Sequence, residues 1–278
     1  MGDTYWAAAV QMTSGEDKER NLETAERLVR EAAERGARLV ALPELFNCLG
    51  RKEQVIRAAE PVPGPTSRRM GDLARRFRIT LLAGSLCERA EGRDRVYNTS
   101  LLFDSSGSLL ARYRKIHLFD VDLPGRVSYQ ESSWVAPGRD VVSAETDHGR
   151  LGLSICYDLR FPELYRSLVV RGCRILLVPS AFSLPTGRDH WEVLLRSRAI
   201  ENQAYVIAPN QCGRHTPAFA TCGRSAIIDP WGVSLAVAPD GEGVILARLD
   251  ARRQETIRRE LPALSHRRLD PAGSTKRI

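Results

Sequence analysis

Long hydrophobic runs are missing from this 278-residue sequence. A membrane-spanning helix needs roughly 18 or more consecutive apolar residues, and no stretch of the chain meets that requirement. The first residues also lack the basic segment and apolar core of a secretory signal. Gly2 is the acceptor residue of an N-myristoylation motif, but that motif also requires serine or threonine at position 6, where this chain has Trp6. The sequence therefore predicts a cytoplasmic protein without membrane association.

Paired cysteines and nucleotide-binding glycine motifs are absent as well. The six cysteines form no Cys-X-X-Cys pair, and a chain of this length without a secretory signal does not depend on a disulfide framework. Cys212 and His215, with Cys222, offer metal-ligand residue types, but their spacing matches no common zinc site. Neither G-x-x-x-x-G-K-[ST] nor G-x-G-x-x-G occurs after a strand. We predict that no metal and no organic cofactor is required.

Lysine is scarce, occurring four times among 41 basic residues. The net charge of +7 therefore comes from arginine, and the arginines are interspersed with 34 acidic residues. A charge distribution without a basic stripe argues against a nucleic-acid partner. The hydrophobic fraction of 43% and charged fraction of 27% are typical of a folded globular protein.

Apolar runs alternate with amphipathic segments along the chain. Helical spacing of apolar residues within 18–35 predicts a helix, and short apolar runs closed by turn residues predict strands. The predicted helices are 18–35, 66–76, 162–171 and 189–202. The predicted strands are 5–12, 39–42, 79–85, 96–103, 109–114, 151–155, 175–179, 205–209, 225–228, 233–236 and 243–249. Two sheets with helices outside would bury these elements in one α/β domain, predicted to span 1–262, with a basic tail at 263–278.

One cysteine follows a predicted strand and precedes a predicted helix. The apolar run 151–155 leads into Cys156, and a helix is predicted from Pro162. Backbone N–H groups at such a turn, together with a helix N-terminus, lower a thiol pKa and stabilise an oxyanion. A buried, unreactive cysteine at the strand end is the alternative, and this segment alone favours it.

Two further ionisable residues lie close to predicted strand ends. Glu44 follows the apolar run 39–42, where an ionised carboxylate is either paired or suited to proton transfer. A glutamate that reaches solvent or pairs with an arginine is the alternative. Lys115 follows the predicted strand 109–114 and would supply a compact charge beside a reacting oxygen, unlike the planar fork of arginine. The alternative is that one of the four lysines of the chain lies at this position by chance and has no catalytic role.

A cysteine nucleophile, a carboxylate base and a lysine cation together make an apparatus for acyl transfer. The motifs that carry them are Leu42-Pro-Glu-Leu45, Arg114-Lys-Ile-His-Leu118 and Cys156-Tyr-Asp-Leu-Arg-Phe-Pro-Glu163. In these motifs, their order and their spacing, the chain resembles the nitrilase superfamily of carbon–nitrogen hydrolases over about residues 5–268. Three motifs together are far more specific than any one of them. The resemblance implies a Glu-Lys-Cys triad, a single-domain, four-layer α-β-β-α sandwich, and homodimers or larger homo-oligomers.

Other segments narrow the resemblance within the superfamily. Tyr129-Gln-Glu-Ser132 resembles the segment that supplies a second glutamate, here Glu131. Residues 186–192, 196–201, 211–213 and 262–268 resemble the Nit branch, whose members hydrolyse amides of 2-oxo dicarboxylic acids or deaminated glutathione. The implied function is an amidase that converts the terminal carboxamide of a small acidic substrate to a carboxylate and ammonia through a cysteine thioester.

The resemblance favours deaminated glutathione as the substrate. An omega-amidase acting on 2-oxoglutaramate or 2-oxosuccinamate is the alternative within this class. A catalytically silent binding or partner protein on the same scaffold is the alternative from another class.

The resemblance also implies roles for the side chains. Glu44 would take the proton of Cys156, Lys115 would stabilise the oxyanion with the N–H that follows Cys156, and Glu131 would hold Lys115 or the substrate amide.

Four residues in or near these motifs are predicted to bind the substrate. We predict a clamp on a substrate carboxylate for Arg160, with an internal pair to Asp158 or Glu163 as the alternative. Further substrate contacts are predicted for Tyr157, His117 and Thr186.

Overall fold

Two six-stranded sheets organise the residues that the computed structural model describes, which are 4–90, 92, 94–125 and 127–269. The helices are α1 (Lys18–Glu34), α2 (Lys52–Arg57), α3 (Pro65–Phe77), α4 (Pro162–Val170), α5 (Leu184–Asn202) and α6 (Ala251–Glu260). The strands of the amino-terminal half are β1 (Thr4–Gln11), β2 (Ala37–Ala41), β3 (Thr80–Glu88), β4 (Tyr97–Phe103), β5 (Leu109–Arg114), β6 (Asp120–Leu123) and β7 (Val127–Gln130). The remaining strands are β8 (Ser143–Thr146), β9 (Gly149–Leu153), β10 (Ile175–Leu177), β11 (Tyr205–Ala208), β12 (Cys212–Thr216), β13 (Phe219–Cys222), β14 (Ala226–Ile228), β15 (Ser234–Val237) and β16 (Gly243–Asp250).

Each large sheet has a parallel centre and antiparallel edges. The first sheet has the order β16-β1-β2-β3-β4-β5, and the second has the order β15-β14-β11-β10-β9-β8. Strands β1, β2 and β3 run parallel, as do β9, β10 and β11. Parallel strands are normally covered on both faces, because the crossover helices lie against the sheet.

The alternation of side chains along β1 shows how the layers are stacked. Ala7 and Ala9 belong to the core cluster that contains the apolar residues of β9, β10 and β11. Ala8 and Val10 belong to a second cluster, which contains the buried side chains of α1 and α3. Because successive strand residues face opposite sides, one face of the first sheet packs on the second sheet and the other packs on helices. The predicted four-layer α-β-β-α sandwich is confirmed.

Helix α1 forms where its apolar spacing predicts it. Asp17 caps the helix by accepting a hydrogen bond from Arg20 N at 3.1 Å, which satisfies one of the free N–H groups of the first turn. Leu22, Leu28 and Val29 form part of its buried face. The helix predicted at 189–202 begins five residues earlier, as α5, because Pro185 lies in the first turn, where its missing N–H costs no hydrogen bond.

Several elements were not predicted from the sequence. They are α2, α6, strand β8 and the hairpins β6–β7 and β12–β13. In α6 only Gln254 and Ile257 are buried, so the segment has almost no apolar periodicity. Its helix start nevertheless has a clear cap, since Asp250 accepts hydrogen bonds from Arg252 N and Arg253 N.

The described part of the predicted tail forms a turn next to the second sheet. Ser265 N and His266 N both donate to Pro262 O at 3.1 Å, and Leu264 packs against the core. Residues 270–278 of the predicted tail lie outside the described residues, and the boundary after 262 stays a prediction. Among the helices described, none combines the length and apolarity needed to cross a membrane.

Candidate active site

Glu44, Lys115, Glu131 and Cys156 are brought together by strand ends and short turns. Glu44 follows β2, Lys115 follows β5, and Cys156 follows β9 on the facing sheet. Close packing of β3 against the Glu44 turn depends on Gly84, since a Cβ there would lie 1.9 Å from Leu42 O. The four predicted residues, which span 112 positions from Glu44 to Cys156, therefore share one site.

Lys115 lies between the two glutamates. Its Nζ donates to Glu44 Oε1 at 3.0 Å and to the two carboxylate oxygens of Glu131 at 3.2 and 2.9 Å. All three residues are buried, at 2–4% exposure. Burial alone would lower the pKa of Lys115, but the charges of Glu131 and Glu44 raise that pKa well above its usual value. Lys115 therefore carries a permanent positive charge and is not suited to act as a base.

Cys156 is a neutral thiol in this environment. Burial raises its pKa well above the ordinary value, and the Glu44 carboxylate raises it further, while Lys115 acts in the opposite direction. The sequence predicted a lowered thiol pKa at this strand–helix turn, and the structure corrects that prediction. The carboxylate that acts on the thiol in this way is Glu44, so Glu44 is the group placed to accept its proton.

The backbone is strained at Cys156 and beside Glu44. Cys156 has φ of 47° and Leu45 has φ of 50°, both in the left-handed region that non-glycine residues avoid. Each such residue costs on the order of 1–3 kcal/mol and persists only where its surroundings hold it. Leu45 N donates to Ser85 Oγ at 2.9 Å, and Cys156 N donates to Pro179 O at 2.9 Å. These hydrogen bonds hold the two turns from which the reactive side chains project.

Asn98 is a site residue that the sequence analysis missed. Its side-chain Nδ2 donates to Glu44 Oε1 at 2.8 Å and to Glu131 Oε1 at 3.3 Å, and its backbone carbonyl oxygen accepts from Lys115 N at 2.9 Å. Asn98 therefore contacts all three charged residues. The available signal was a polar side chain inside the apolar run 96–103, where a buried amide requires partners.

We expect Asn98→Ala to lower kcat about 10- to 100-fold with little change in KM. The variant loses two hydrogen bonds to charged groups, and loss from the transition state of the equivalent of one such bond, about 1.5–3 kcal/mol, corresponds to this range, because 1.36 kcal/mol is a tenfold change in rate. Ser100→Ala is the matched control, because Ser100 is buried on the same strand and its Oγ has no partner among the described residues. Steady-state kinetics and thermal unfolding of both variants test this role. An unchanged kcat in folded Asn98→Ala would show that Asn98 only fills space.

Asp158 links the Lys115 strand to the Cys156 turn. This carboxylate accepts from Tyr113 Oη at 2.6 Å, from Ile155 N at 2.8 Å and from His117 N at 3.0 Å. His117 Nδ1 lies 2.7 Å from Asp158 Oδ1, and its ring stacks on Phe161 with 3.7 Å between centroids. His117 does not line the cavity next to Cys156. These two contacts hold the ring against the turn, and the substrate contact of His117 stays a prediction.

A cavity of about 200 Å³ opens beside Cys156. Its walls are mainly apolar and come from segments far apart in sequence, including Leu45, Leu49, Val55, Phe119, Trp134, Phe182 and Phe219. Tyr157, Arg160 and Thr186, three of the four predicted substrate contacts, also line it. The hydroxyls of Thr186 and Ser183 lie 2.8 Å apart at its edge. The cavity thus combines apolar walls with a few polar groups, as small-molecule sites usually do.

Of the basic side chains described in the cavity wall, Arg160 is the one without a carboxylate partner. Its Nη1 donates to His190 Nδ1 at 3.2 Å, and its guanidinium lies over the rings of Tyr157 and Phe182 at 5.7 and 5.3 Å. No carboxylate among the described residues pairs with it, so the structure does not contain the internal ion pair, and the substrate clamp stays a prediction. Arg51 also lines the cavity, but two hydrogen bonds of 2.8 Å bind it to Glu16.

The layered fold and the buried cluster of a glutamate, a lysine and a cysteine together match the carbon–nitrogen hydrolase class. A family model for carbon–nitrogen hydrolases matches residues 6–259. Deaminated glutathione amidase from Synechocystis sp. is 45% identical over 266 residues, covering 95% of this chain and 98% of that protein. Human omega-amidase NIT2 is 38% identical over 267 residues, covering 96% of each.

A solved structure supports the same family assignment. Saccharomyces cerevisiae Nit3, a member of branch 10 of the nitrilase superfamily, has 34% identity and a TM-score of 0.87, with 96% of this chain and 97% of that chain covered. The chain belongs to the carbon–nitrogen hydrolase family. It is an amidase-type enzyme that hydrolyses carbon–nitrogen bonds other than peptide bonds.

Proposed function

We propose that the protein hydrolyses a small acidic amide through a thioester on Cys156. The observation that carries the proposal is the buried cluster in which Glu44 accepts a hydrogen bond from the Lys115 ammonium and lines one cavity wall with the Cys156 thiol, whose pKa it raises. Because the thiol is neutral at rest, its proton moves to Glu44 as Sγ attacks the carbonyl carbon. The attack breaks the carbonyl π bond and places a negative charge on its oxygen.

Lys115 and one backbone N–H stabilise that oxyanion. Lys115 keeps its charge because Glu131 and Glu44 flank it, and Glu131 also accepts from Phe119 N at 2.7 Å, which fixes its carboxylate. Cys156 N is already bonded to Pro179 O, so we assign the second donor to Tyr157 N. Donors held in advance in a water-poor site stabilise such a charge far more than donors in bulk water.

Glu44 completes both halves of the reaction. The proton it took from Cys156 passes to the leaving nitrogen as the carbon–nitrogen bond breaks and the thioester remains. Glu44 then takes a proton from water, whose oxygen attacks the thioester, and the proton returns to the Cys156 sulfur as the carboxylic acid leaves. These steps balance without a metal or an organic cofactor.

We propose a 2-oxo dicarboxylic acid as the acyl part of the substrate, with deaminated glutathione favoured over an omega-amide. Support comes from the resemblance to both named relatives and from Arg160, an unpaired guanidinium in the cavity wall. The leaving group separates the two candidates. An omega-amide such as 2-oxoglutaramate releases ammonia, whereas deaminated glutathione has its scissile bond to cysteinylglycine and releases that dipeptide. Hydrolysis of deaminated glutathione would therefore release an amine, the dipeptide, and not the ammonia that a terminal carboxamide releases.

A substrate panel tests the proposed function. Loss of 2-oxoglutaramate, 2-oxosuccinamate and deaminated glutathione is followed by mass spectrometry, with ammonia and cysteinylglycine quantified as products. We expect kcat/KM to be higher for deaminated glutathione than for the omega-amides, and activity to be lost after iodoacetamide treatment. Absence of hydrolysis of every amide would favour the catalytically silent alternative.

The Arg160 clamp predicts a loss that depends on substrate charge. We expect Arg160→Ala to lower kcat/KM roughly 30- to 150-fold for an acidic amide, which corresponds to about 2–3 kcal/mol for a charged hydrogen bond. A neutral amide of equal length should lose much less, because it offers the guanidinium no carboxylate. Arg51→Ala serves as the control, since Glu16 already pairs with that arginine. Equal losses on both substrates would place Arg160 in the scaffold instead.

We also propose a homodimer or larger homo-oligomer. Val193 and Ile200 on α5 and Trp231 in a nearby turn are 64%, 50% and 54% exposed, and clustered exposed apolar side chains often mark an interface between subunits. A monomer mass by light scattering at micromolar concentration would contradict this proposal. The cytoplasmic location and the absence of a nucleic-acid partner stay predictions.

A further inference from the structure

A second cavity lies beside the end of β5 and is rich in arginine. It measures about 430 Å³, and we call it the arginine cleft after four lining residues: Arg95, Arg112, Arg114 and Arg139. One carboxylate, Asp140, lines the cleft, and a second, Glu88, pairs with arginines of its wall. Four positive charges thus face two negative ones, which leaves an excess of positive charge in a concave site.

The buried carboxylate of Glu88 holds two of these arginines from behind. Glu88 is 2% exposed and accepts from Arg114 Nη2 at 2.5 Å, Arg114 Nε at 3.0 Å and Arg112 Nη1 at 3.3 Å. Thr99 Oγ1 also donates to it at 2.7 Å. Its oxygens are therefore occupied, and it anchors the guanidiniums without neutralising both of them.

The anchored arginines keep donors free for a ligand. A guanidinium has five N–H donors, and Arg114 uses two of its nitrogens on Glu88. The Arg114 guanidinium also lies over the Tyr97 ring at 3.9 Å, a cation–π contact that fixes its plane. Arg95 is held at the cleft edge, where its Nη1 donates to Ser132 O at 3.1 Å. Such preorganisation lowers the ordering cost of binding.

We propose that the arginine cleft binds a small anion that carries two or more negatively charged carboxylate or phosphate groups. Planar guanidinium forks match carboxylates and phosphates in a bidentate geometry, and the excess charge favours a multivalent ligand over a monovalent one. The predominantly apolar cavity beside Cys156 is a separate site with different lining residues.

The cleft lies directly behind the lysine of the active site. Arg114 precedes Lys115, and Gly138 N donates to Lys115 O at 2.7 Å. A Cβ on Gly138 would lie 2.1 Å from Arg114 O, so the two backbones are in close contact. Substitution of Arg114 would therefore disturb both sites, whereas Arg112 and Arg139 have no contact with the active-site cluster among their described interactions.

Calorimetric titration of the full-length protein tests the site. Pyrophosphate and citrate are the probes, one for phosphate chemistry and one for carboxylate chemistry, at about 150 mM salt so that weak non-specific attraction is screened. We expect saturable binding of at least one probe with one site per chain, weakened at least tenfold in the double variant Arg112→Gln/Arg139→Gln. Amidase activity and thermal unfolding verify that the variant is folded.

The matched control is Arg30→Gln/Arg68→Gln, which removes the same charge from exposed arginines of α1 and α3 that do not line the cleft. It should bind the probe like the unmodified protein. Equal weakening in both double variants would assign the effect to net charge and overturn the proposal. Absence of saturable binding of either probe up to millimolar concentration would overturn it as well.

Discussion

Cys156→Ala is expected to lower amide hydrolysis at least 10³-fold while the protein remains folded. The alanine has no nucleophile, and removal of a covalent nucleophile abolishes the pathway rather than weakening one contact. Cys156 is 8% exposed and lies at the cavity wall, so the smaller side chain leaves little new void in the core. Initial rates on an acidic amide and circular dichroism of the purified variant provide the measurement.

Cys173→Ala is the control for this prediction. Cys173 is fully buried against α4 and the β9 strand, and it does not line the active-site cavity. Its replacement should cost some stability through the lost core packing but retain most of the activity. Full activity of Cys156→Ala would rule out the thiol mechanism, whatever the behaviour of Cys173→Ala.

Lys115→Arg is expected to lower kcat about 10²- to 10³-fold although the positive charge is kept. Lys115 is 2% exposed and its ammonium fits between Glu44 and Glu131 at 2.9–3.2 Å. A guanidinium is larger and planar, so it cannot place its charge at the same point relative to the oxyanion. The loss matches the effect of removing one oxyanion donor.

Two further variants, Lys115→Ala and Lys52→Arg, serve as comparisons for Lys115→Arg. Lys115→Ala should fail at least as badly and should also unfold at lower temperature, because it leaves two buried carboxylates without their cation, a loss of about 3–5 kcal/mol for a broken buried pair. Lys52→Arg, at an exposed lysine, should leave kcat unchanged. A rate for Lys115→Arg close to that of the unmodified protein would reduce Lys115 to a structural counter-ion.

The sequence alone was sufficient to predict the strands and helices at the centre of the fold and the residue types that meet in the candidate active site. The apolar alternation of β1 and the spacing of α1 follow from local periodicity, which holds wherever one face of an element is buried. Glu44, Lys115 and Cys156 lie in motifs with a known order, and the structure places Lys115 and Cys156 next to the Glu44 carboxylate. Their catalytic roles remain proposals that the substitutions above test.

Other features depend on contacts that local patterns do not encode. The role of Asn98 could not be predicted because it depends on hydrogen bonds from β4 to Glu44 and Glu131, which are 87 positions apart in the sequence. The raised pKa of Cys156 comes from burial and a nearby carboxylate, whereas the strand–helix turn alone suggested a lower one. Helix α6 is mostly charged, and only its Asp250 cap and its packing identify it.

In the proposed mechanism, all substrates with the same acyl group pass through the same thioester on Cys156. 2-Oxoglutaramate and deaminated glutathione carry one acyl group on different leaving nitrogens, so both should acylate Cys156 identically. With hydroxylamine added, the acyl-enzyme partitions between hydroxamate and free acid, and both products are quantified by mass spectrometry. We predict the same hydroxamate-to-acid ratio from the two amides at each hydroxylamine concentration. A ratio that changes with the leaving nitrogen would contradict a common thioester and, with it, the proposed mechanism.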